Sequence, residues 1–397
     1  MVFKVLAIGD LANGFVDLRK YIKNSKIHII NFPWDTASKL TESKDVEFFK
    51  SLNMGEQIDK INSIKHDFDF AIVNTWAGAR LAYLTGMDYI LFFVGSALRV
   101  PPFVKNPKLD YLDKPLPSLN FFERRFYRNI LNNAIMCGAN DNELYNILEK
   151  YRKENIFLIR NPVDVQRFHE NINPIDWKKT KFTFISFQRI GLVKGIDLIW
   201  KAIELAETDF EVLQVEWFLG QRTNEEIIKN KNLIENRPSR VKLIPVIKRE
   251  DMPKIYSFAD GVIGQMKNGM SGNIEREAAL CKKPVIQYTD KEIKYEKNGE
   301  EVRSPFLPEI NNPKEIAKVL DQIVISKEFR EQLASDECNF VKNIFNPIHI
   351  AQEWEEKFMF VKKTVPKNKK SKFQLKIRLF NFLIINKLYM KKIKNRI

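Results

Sequence analysis

The sequence predicts an α/β protein in which two Rossmann-like, doubly wound domains face each other across a cleft. Short apolar runs alternate with longer amphipathic segments from the N-terminus to about residue 345, a rhythm typical of parallel sheets covered by helices. The chain has 397 residues and is 44% hydrophobic, which is enough for two cores. A polar stretch without apolar periodicity, residues 169–180, separates the apolar runs into two sets.

The apolar runs predict five strands on each side of that stretch. The first set comprises residues 2–8, 26–32, 68–74, 88–94 and 134–139. The second set comprises residues 181–187, 215–220, 241–246, 261–265 and 284–288. A crossover helix is predicted after the first strand of the second set, because apolar residues recur there at helical spacing. These residues are Ile196, Ile199, Trp200 and Ile203.

The net charge of +15 is concentrated at the C-terminus. From Lys362 onwards there are thirteen basic residues and no acidic one, which leaves 52 basic and 50 acidic residues in the rest of the chain. A nucleic-acid-binding function would depend on this tail alone, and we do not expect one.

A reducing, cytoplasmic location is expected from three features of the sequence. The three cysteines are widely spaced, there is no signal-peptide pattern, and no apolar run reaches about 18 residues.

Residues 268–288 combine a glycine-rich turn, a helix and a strand. Gly269, Ser271 and Gly272 allow a tight turn before a helix that begins near Asn273, and backbone N–H groups there can face an anion such as a diphosphate. Glu277 lies one turn into the helix, where a carboxylate can accept hydrogen bonds from two ribose hydroxyls. The pattern indicates a nucleotide-binding site.

This segment resembles glycosyltransferase family 4, whose members carry a turn, a helix with Glu-Ala and a Gly-Lys-Pro-Val-Ile-like step into a strand. Glu277 and residues 283–286 match that pattern, whereas Gly269 occupies the position of the family's first paired glutamate. A second resemblance, over residues 185–203, implies that Arg189 and Lys194 contact the donor diphosphate. The alternative for these two residues is a solvated loop with two exposed charges.

The N-terminal half carries weaker candidates for the acceptor side of the cleft. Gly9, Asp10, Asn13 and Gly14 form a polar turn after the first strand, although a simple β-to-α turn is an equally good interpretation. The end of the fourth predicted strand resembles a family segment through Arg99. Apolar residues replace the family's usual His and Asp in that segment, so a first-domain catalytic polar group is missing.

The resemblance covers residues 1 to about 360 and implies the GT-B architecture with four segments. Residues 1–165 form an acceptor-side Rossmann-like domain, and residues 166–345 form a nucleotide-sugar-binding one. Residues 346–361 form a helix that returns to the first domain, and residues 362–397 form a basic amphipathic tail beyond both predicted cores. Apolar and basic residues interleave in this tail, which suits an anionic membrane surface. The alternative is a disordered tail that binds any polyanion.

A metal-dependent mechanism is not expected. The four histidines are scattered, and Asp67-Phe68-Asp69 is the one Asp-x-Asp considered as a metal motif. Asp69 directly precedes a predicted buried strand, where a carboxylate that caps the strand edge is the better interpretation. We therefore expect no cofactor, and a nucleoside-diphosphate sugar as the donor substrate.

These observations lead to a functional hypothesis. The chain is expected to be a hexosyl-type, metal-independent glycosyltransferase that works on the inner face of the membrane. It would transfer a sugar, with retention, to a lipid-linked or cell-surface polysaccharide precursor. Two alternatives remain open at this point: an inactive GT-B homologue that serves as a binding or assembly subunit, and a sugar-nucleotide epimerase.

Overall fold

The structure is a computed structural model that describes residues 2–33, 45–95, 97–99, 103–104, 120–218, 224–297, 299–364 and 371–394. Two parallel sheets organise these residues into an N-terminal and a C-terminal domain. The prediction of two Rossmann-like α/β domains is confirmed.

The N-terminal sheet has seven parallel strands in the order β3-β2-β1-β4-β5-β6-β7. The strands are β1 Phe3–Ile8, β2 Ser25–Asn31, β3 Val46–Phe48, β4 Phe70–Val73, β5 Tyr89–Phe93, β6 Met136–Ala139 and β7 Ile156–Leu158. The helices around it are α1 Gly14–Arg19, α2 Met54–Ile64, α3 Trp76–Thr85, α4 Phe121–Asn133 and α5 Asn142–Tyr151. Side chains of Asn53, Thr75, Asn120 and Asp141 accept backbone N–H groups and so fix the starts of α2 to α5.

The C-terminal sheet has five parallel strands in the order β10-β9-β8-β11-β12. The strands are β8 Phe182–Ser186, β9 Phe210–Val215, β10 Val241–Ile244, β11 Gly261–Ile263 and β12 Val285–Ile286. The helices are α6 Ile196–Leu205, α7 Asn224–Glu235, α8 Met252–Phe258, α9 Asn273–Leu280, α10 Pro313–Ile325 and α11 Lys327–Ile344. A small antiparallel hairpin, β13 Tyr295–Lys297 and β14 Glu300–Val302, lies outside this sheet.

Each sheet is buried on both faces, which explains why its strands read as continuous apolar runs. In β1, Leu6 and Ile8 contribute to one core, whereas Val5 and Ala7 contribute to the core on the opposite face. The C-terminal sheet is likewise covered by two cores. The carboxyl ends of the strands are therefore the edge at which polar side chains can gather.

The predicted strand at residues 215–220 was wrong. The observed strand β9 is Phe210–Val215, so it ends where the predicted strand begins. The polar residues Glu211 and Gln214 interrupt the apolar run over β9, so the strand was not predicted, although both residues are buried in it. The Gln214 amide donates to the backbone oxygens of Ser186 and Gln188, which makes its burial tolerable.

The chain returns to the N-terminal domain after α11. Helix α12, Pro347–Thr364, places Trp354 in the core of the N-terminal sheet. The Trp354 ring lies edge-on to the rings of Phe15, Phe92 and Phe157, at centroid distances of 6.2, 5.0 and 5.6 Å. This helix is therefore part of the first domain's core.

The basic tail is also tied to that domain, which corrects the expectation that both cores end before it. Helix α13, Lys372–Lys394, packs on α3 and α4, and Phe382 is buried in the N-terminal core. Arg378 donates to the Tyr83 backbone oxygen at 2.9 Å and to the Asn133 side chain at 2.7 Å. The linker at 365–370 and residues 395–397 lie outside the described ranges.

Candidate functional site

A cavity of about 360 Å³ lies between the two domains. Its walls include residues that follow strands of both sheets, the usual position of a ligand site in open α/β sheets. From the N-terminal sheet these are Val94, Gly95, Asn140 and Asp141, and from the C-terminal sheet Phe187, Gln188 and Gln265. The cavity is therefore the candidate active site.

The glycine-rich turn predicted from the sequence forms part of one wall. Gly269 has a φ of +65°, and a Cβ atom there would lie 2.4 Å from the Cβ atom of Asp290, so the turn requires glycine. Gly269 itself is not among the residues that line the cavity, but Ser271, Gly272 and Asn273 are. Helix α9 begins at Asn273 and points its first turn at the cavity wall.

The side chain of Glu275 caps the start of α9. Its Oε1 atom accepts hydrogen bonds from the Gln188 side chain at 2.7 Å and from the Gln265 N–H at 2.9 Å. Its Oε2 atom accepts the Gly272 N–H at 2.9 Å. This capping bond corrects the expectation for Gly272, because its N–H is used within the protein and does not face a ligand.

Glu277 belongs to a buried ion-pair triad that joins the two domains. Its Oε1 atom accepts a hydrogen bond from Arg249 Nη2 at 2.9 Å, and Arg249 also donates to both carboxylate oxygens of Asp17, at 3.0 and 2.7 Å. The three residues are only 3%, 5% and 1% exposed, respectively. Burial raises the pKa of Glu277 to about 7, and Arg249 opposes this shift. A ribose bound by Glu277 would share its carboxylate with Arg249.

Lys194 lines the cavity at the turn that leads into α6. No carboxylate of the described residues lies within ion-pair distance of its ammonium group, and burial lowers its pKa, with Glu275 opposing the shift. Arg189 does not line the cavity; its guanidinium carbon lies 6.0 Å from the ring centroid of Trp217, which does. Of the two predicted diphosphate contacts, Lys194 is thus the one placed at the cavity wall.

Arg160 and Arg276 also line the cavity, and sequence reasoning missed both. Arg276 donates to the backbone oxygen of Ser271 at 2.5 Å and to its hydroxyl at 3.3 Å. Arg160 lies over the ring of Tyr295, with its guanidinium carbon 5.1 Å from the centroid. Burial lowers the pKa of both guanidinium groups, to about 10 for Arg276.

The polar turn after β1 is mostly structural. Asp10 is buried and accepts the N–H groups of Phe15 and Val16, each at 2.9 Å, so its carboxylate caps α1. Burial raises the pKa of Asp10 to about 6. Gly9 and Gly14 do not line the cavity, whereas Asn13 does. For Asp10, the structure thus favours the simple β-to-α turn.

Arg99 lines the cavity but is held by the protein. It donates to both carboxylate oxygens of Asp141 at 2.9 Å and to Glu143 at 2.6 Å. It also donates to the backbone oxygen of Gly95. Its guanidinium group therefore braces the ends of β5 and β6.

The cavity wall is positively charged, because five cations and three carboxylates line it. The cations are Arg99, Arg160, Lys194, Arg249 and Arg276, and the carboxylates are Asp141, Glu275 and Glu277. Arg99 and Arg249 are each paired with two carboxylates. The other three cations form no ion pair with any residue that the structure describes, so they are available to an anionic ligand.

Several polar atoms at the cavity are buried without a hydrogen bond to any described residue. They are the side-chain oxygens of Asn140 and Asn268 and the indole N–H of Trp217. Buried polar groups are normally paired, so these atoms are candidates for contacts with a ligand.

Over the described ranges, no three His, Cys, Asp or Glu side chains are arranged to hold a metal ion. Asp69 instead accepts the Lys4 N–H at 3.0 Å at the strand edge.

Residues 167–337 match the family model described as glycosyl transferases group 1. The matched range contains the C-terminal sheet, the glycine-rich turn and α9. A comparison with curated proteins gives no significant match.

The whole described fold resembles solved structures of low sequence identity. HepE of Anabaena, solved in complex with UDP and glucose, is 17% identical, with a TM-score of 0.66 over 90% of this chain and 100% of that one. Sucrose-phosphate synthase from Thermosynechococcus elongatus is 15% identical, with a TM-score of 0.66 over 91% and 100%. A glycosyltransferase from Rickettsia africae is 17% identical, with a TM-score of 0.62 over 91% and 99%. These similarities establish the GT-B fold.

None of the helices in the described part of the chain is long and apolar enough to cross a membrane.

Proposed function

We propose that the chain is a glycosyltransferase that takes its sugar from a nucleoside-diphosphate sugar bound in the cavity between the domains. The observation that carries this proposal is the set of buried or half-buried cations that form no ion pair with a described residue, beside a glycine-rich turn and the start of α9. An anionic ligand would compensate these positive charges and so offset the cost of burying them, and a diphosphate has the required negative charge. The group 1 glycosyltransferase match over residues 167–337 supports the same assignment.

Each donor group has a candidate partner in the cavity. Lys194, with Arg189 behind it, would hold the diphosphate, together with the hydroxyl of Ser271 and the backbone at Asn273. Glu277, oriented by Arg249, would bind the ribose. The uridine nucleotides in the structures of similar fold make uridine the first base to test.

The reaction would be assisted mainly by electrostatic stabilisation. As the glycosidic bond to the diphosphate breaks, negative charge accumulates on the leaving phosphate oxygens. A fixed lysine in a partly buried site stabilises this charge without a metal ion and without reorganising water. Transfer with retention of the anomeric configuration is proposed from the resemblance to glycosyltransferase family 4.

The donor proposal is tested by measuring the unfolding temperature with a panel of nucleoside diphosphates. A ligand present at 100 times its dissociation constant stabilises the folded state by about 2.7 kcal/mol, so a binding nucleotide gives a clear upward shift. Lys194→Ala should weaken binding by about 10- to 150-fold, which corresponds to the 1.5–3 kcal/mol of a charge-assisted hydrogen bond. Lys201→Ala is the matched control, because Lys201 is exposed on α6. Equal nucleotide affinity in all three proteins would overturn the assignment.

We also propose that the acceptor lies at an anionic membrane surface. Helix α13 exposes large apolar side chains on the side away from Phe382, including Phe373 and Phe380, which are 72% and 64% exposed. The neighbouring start of α4 exposes Phe121 and Phe122 next to three arginines. Those arginines are Arg124, Arg125 and Arg128. Exposed aromatic and basic residues together favour binding at the surface of anionic lipids.

Flotation with anionic vesicles tests this second proposal. The double variant Phe373→Ser/Phe380→Ser should float less than the wild type, and added salt should weaken flotation of the wild type. Ile325→Ser is the matched control, because Ile325 is a 75% exposed apolar residue at the end of α10 in the other domain. Undiminished flotation of the double variant would contradict the proposal.

An inactive binding subunit is one alternative, favoured by the absence of a side chain at Gly269. Release of free sugar or a transferred product from a bound sugar nucleotide distinguishes an enzyme from such a subunit. A sugar-nucleotide epimerase would instead convert the donor into its epimer without an acceptor.

A further inference from the structure

Two arginines line the cavity close enough to Tyr295 to affect its charge. Arg160 follows β7, where the chain first crosses between the domains, and Arg276 lies in the first turn of α9. Tyr295, at the start of β13, also lines the cavity and lies under the guanidinium group of Arg160. The guanidinium carbon of Arg276 lies 3.7 Å from the ring centroid of Phe345. Aromatic rings therefore hold both charged groups in place.

No carboxylate of a described residue forms an ion pair with either arginine. Arg160 donates only to the Asn140 backbone oxygen at 3.4 Å and to the Asn142 side chain at 3.2 Å. Arg276 uses its Nε and Nη2 atoms on Ser271, and no hydrogen bond to a described residue involves its Nη1 atom. Burial lowers the pKa of both guanidinium groups, and the charge of Arg160 lowers that of Arg276 further, while Tyr295 and Asp141 oppose both shifts.

This pair is separate from Lys194. Arg189 affects the Lys194 ammonium group, whereas Tyr295, Arg160 and Asp141 affect Arg276, and Glu275 is the one charge that acts on both. Glu275 is fixed by three hydrogen bonds, so it does not neutralise the arginines through an ion pair. The cavity thus has a second positive centre in addition to the one assigned to the donor diphosphate.

A second cavity adjoins this centre. It has a volume of about 1040 Å³, and Arg160 and Tyr295 line it as well. Leu158 and Asn346, near the two points where the chain crosses between the domains, lie in its wall. Arg160 and Tyr295 therefore stand between the proposed donor cavity, which Arg276 also lines, and an additional space large enough for part of a substrate.

We propose that Arg160 and Arg276 form a subsite for an acidic group, a carboxylate or a phosphate, that is carried by the transferred sugar or by the acceptor. This inference rests on the proposed function for its substrates. Two guanidinium groups with spare N–H donors match the planar oxygens of a carboxylate or the oxygens of a phosphate. The acidic group would supply the negatively charged partner that no described residue gives to Arg160 or Arg276.

Inorganic phosphate tests the subsite directly. Protein saturated with UDP should gain a further increase in unfolding temperature when phosphate is added, because the two sites are separate. Arg276→Gln and Arg160→Gln should lose this second increase, Arg276→Lys should keep part of it, and Lys194→Ala should keep it. Arg303→Gln is the matched control, because Arg303 is exposed. The unfolding temperature without ligands checks that each variant folds.

Two outcomes of this titration would overturn the subsite. One is a phosphate effect that is the same in the wild type and in both arginine variants. The other is a loss of UDP affinity in Arg276→Gln as large as in Lys194→Ala, since the arginine would then belong to the diphosphate site. If UDP itself does not bind, the donor assignment fails, and phosphate titration without nucleotide still tests the arginine pair.

Matched ligand pairs then identify the source of the acidic group. If the sugar carries it, UDP-glucuronate should bind about tenfold or more tightly than UDP-glucose, and Arg276→Gln should remove the difference. If the acceptor carries it, farnesyl phosphate should bind to the UDP-loaded protein about tenfold or more tightly than farnesol, with the same loss in the variant. Equal affinities within both pairs would contradict the proposal.

Discussion

Two groups of buried or half-buried cations line the same cavity and differ in their partners. Arg99 and Arg249 each contact two carboxylates, whereas Lys194, Arg160 and Arg276 contact none among the described residues. Breaking a buried ion pair strands an opposite charge, while removing an uncompensated charge leaves nothing stranded. The first group is therefore expected to stabilise the fold, and the second to bind ligands.

The largest expected effect is on Arg249. Arg249→Gln would leave the carboxylates of Asp17 and Glu277 buried without their cation, so the free energy of unfolding should fall by about 3–5 kcal/mol. Denaturant unfolding measures this loss, and Lys248→Gln is a matched control because Lys248 is exposed next to it. A stability of Arg249→Gln equal to that of the wild type would remove the distinction between the two groups.

A smaller effect should appear in the pH dependence of stability. The pKa of Glu277 is about 7 in the folded protein and 4.5 as an ordinary glutamate. The contribution of this carboxyl group to the free energy of unfolding is fully present below about pH 4.5. It is lost as the pH rises through 7, because the folded state binds the proton more tightly than the unfolded state does and gives it up in that range. Glu277→Gln should therefore flatten the decline in unfolding free energy between pH 5 and 8, by roughly 1–3 kcal/mol.

Unfolding curves at several pH values, with Glu204→Gln as an exposed control on α6, measure this effect. The same variant should also bind nucleotide more weakly if Glu277 holds the ribose. A pH profile that is identical in Glu277→Gln and in the wild type would show that the triad does not carry an excess of buried negative charge.

The smallest expected effect is on Lys194. Lys194→Met keeps much of the side-chain length and removes a partly buried charge that has no ion-pair partner among the described residues, so unfolding without ligand should change by less than about 1 kcal/mol. Nucleotide affinity should nevertheless fall. Chemical denaturation with and without UDP separates these two effects, and a loss of several kcal/mol without ligand would place Lys194 among the structural cations.

Sequence patterns identified the elements that are local in the chain. The start of α9 at Asn273 and the helix over Ile196–Leu205 follow from glycine placement and apolar spacing within a few residues. Strands β3 and β7 were missed because each has only three residues, of which only one is buried. Strands β11 and β12 are as short, but they are fully buried and therefore read as apolar runs.

Partners that are distant in sequence could not be predicted in the same way. Asp17 and Arg249 are 232 residues apart, and no local pattern indicates their bidentate contact. Arg276 lies between Glu275 and Glu277 in the sequence, which suggests a compensated charge. Adjacent residues of a helix do not face each other, however, so Arg276 contacts neither carboxylate.

Gly269 shows why a departure from a family pattern can be read fully only in three dimensions. Its backbone has a positive φ, and the main chain of Asp290 lies where a side chain would begin. A glutamate at this position would require a different turn. The sequence reveals the substitution, and the structure supplies the steric reason for it.

The return of α12 to the first domain has a consequence for synthesis on the ribosome. Residues 182–344 form the C-terminal domain as one continuous stretch, whereas the core of the N-terminal domain includes Trp354 and Phe358. At roughly 5–20 residues per second, translation from β7 to α12 takes about 10–40 s. During that time Phe15, Phe92 and Phe157 lack the tryptophan that covers them. The domain that is made first is therefore completed last, and part of its apolar core stays exposed to water while the chain is being made.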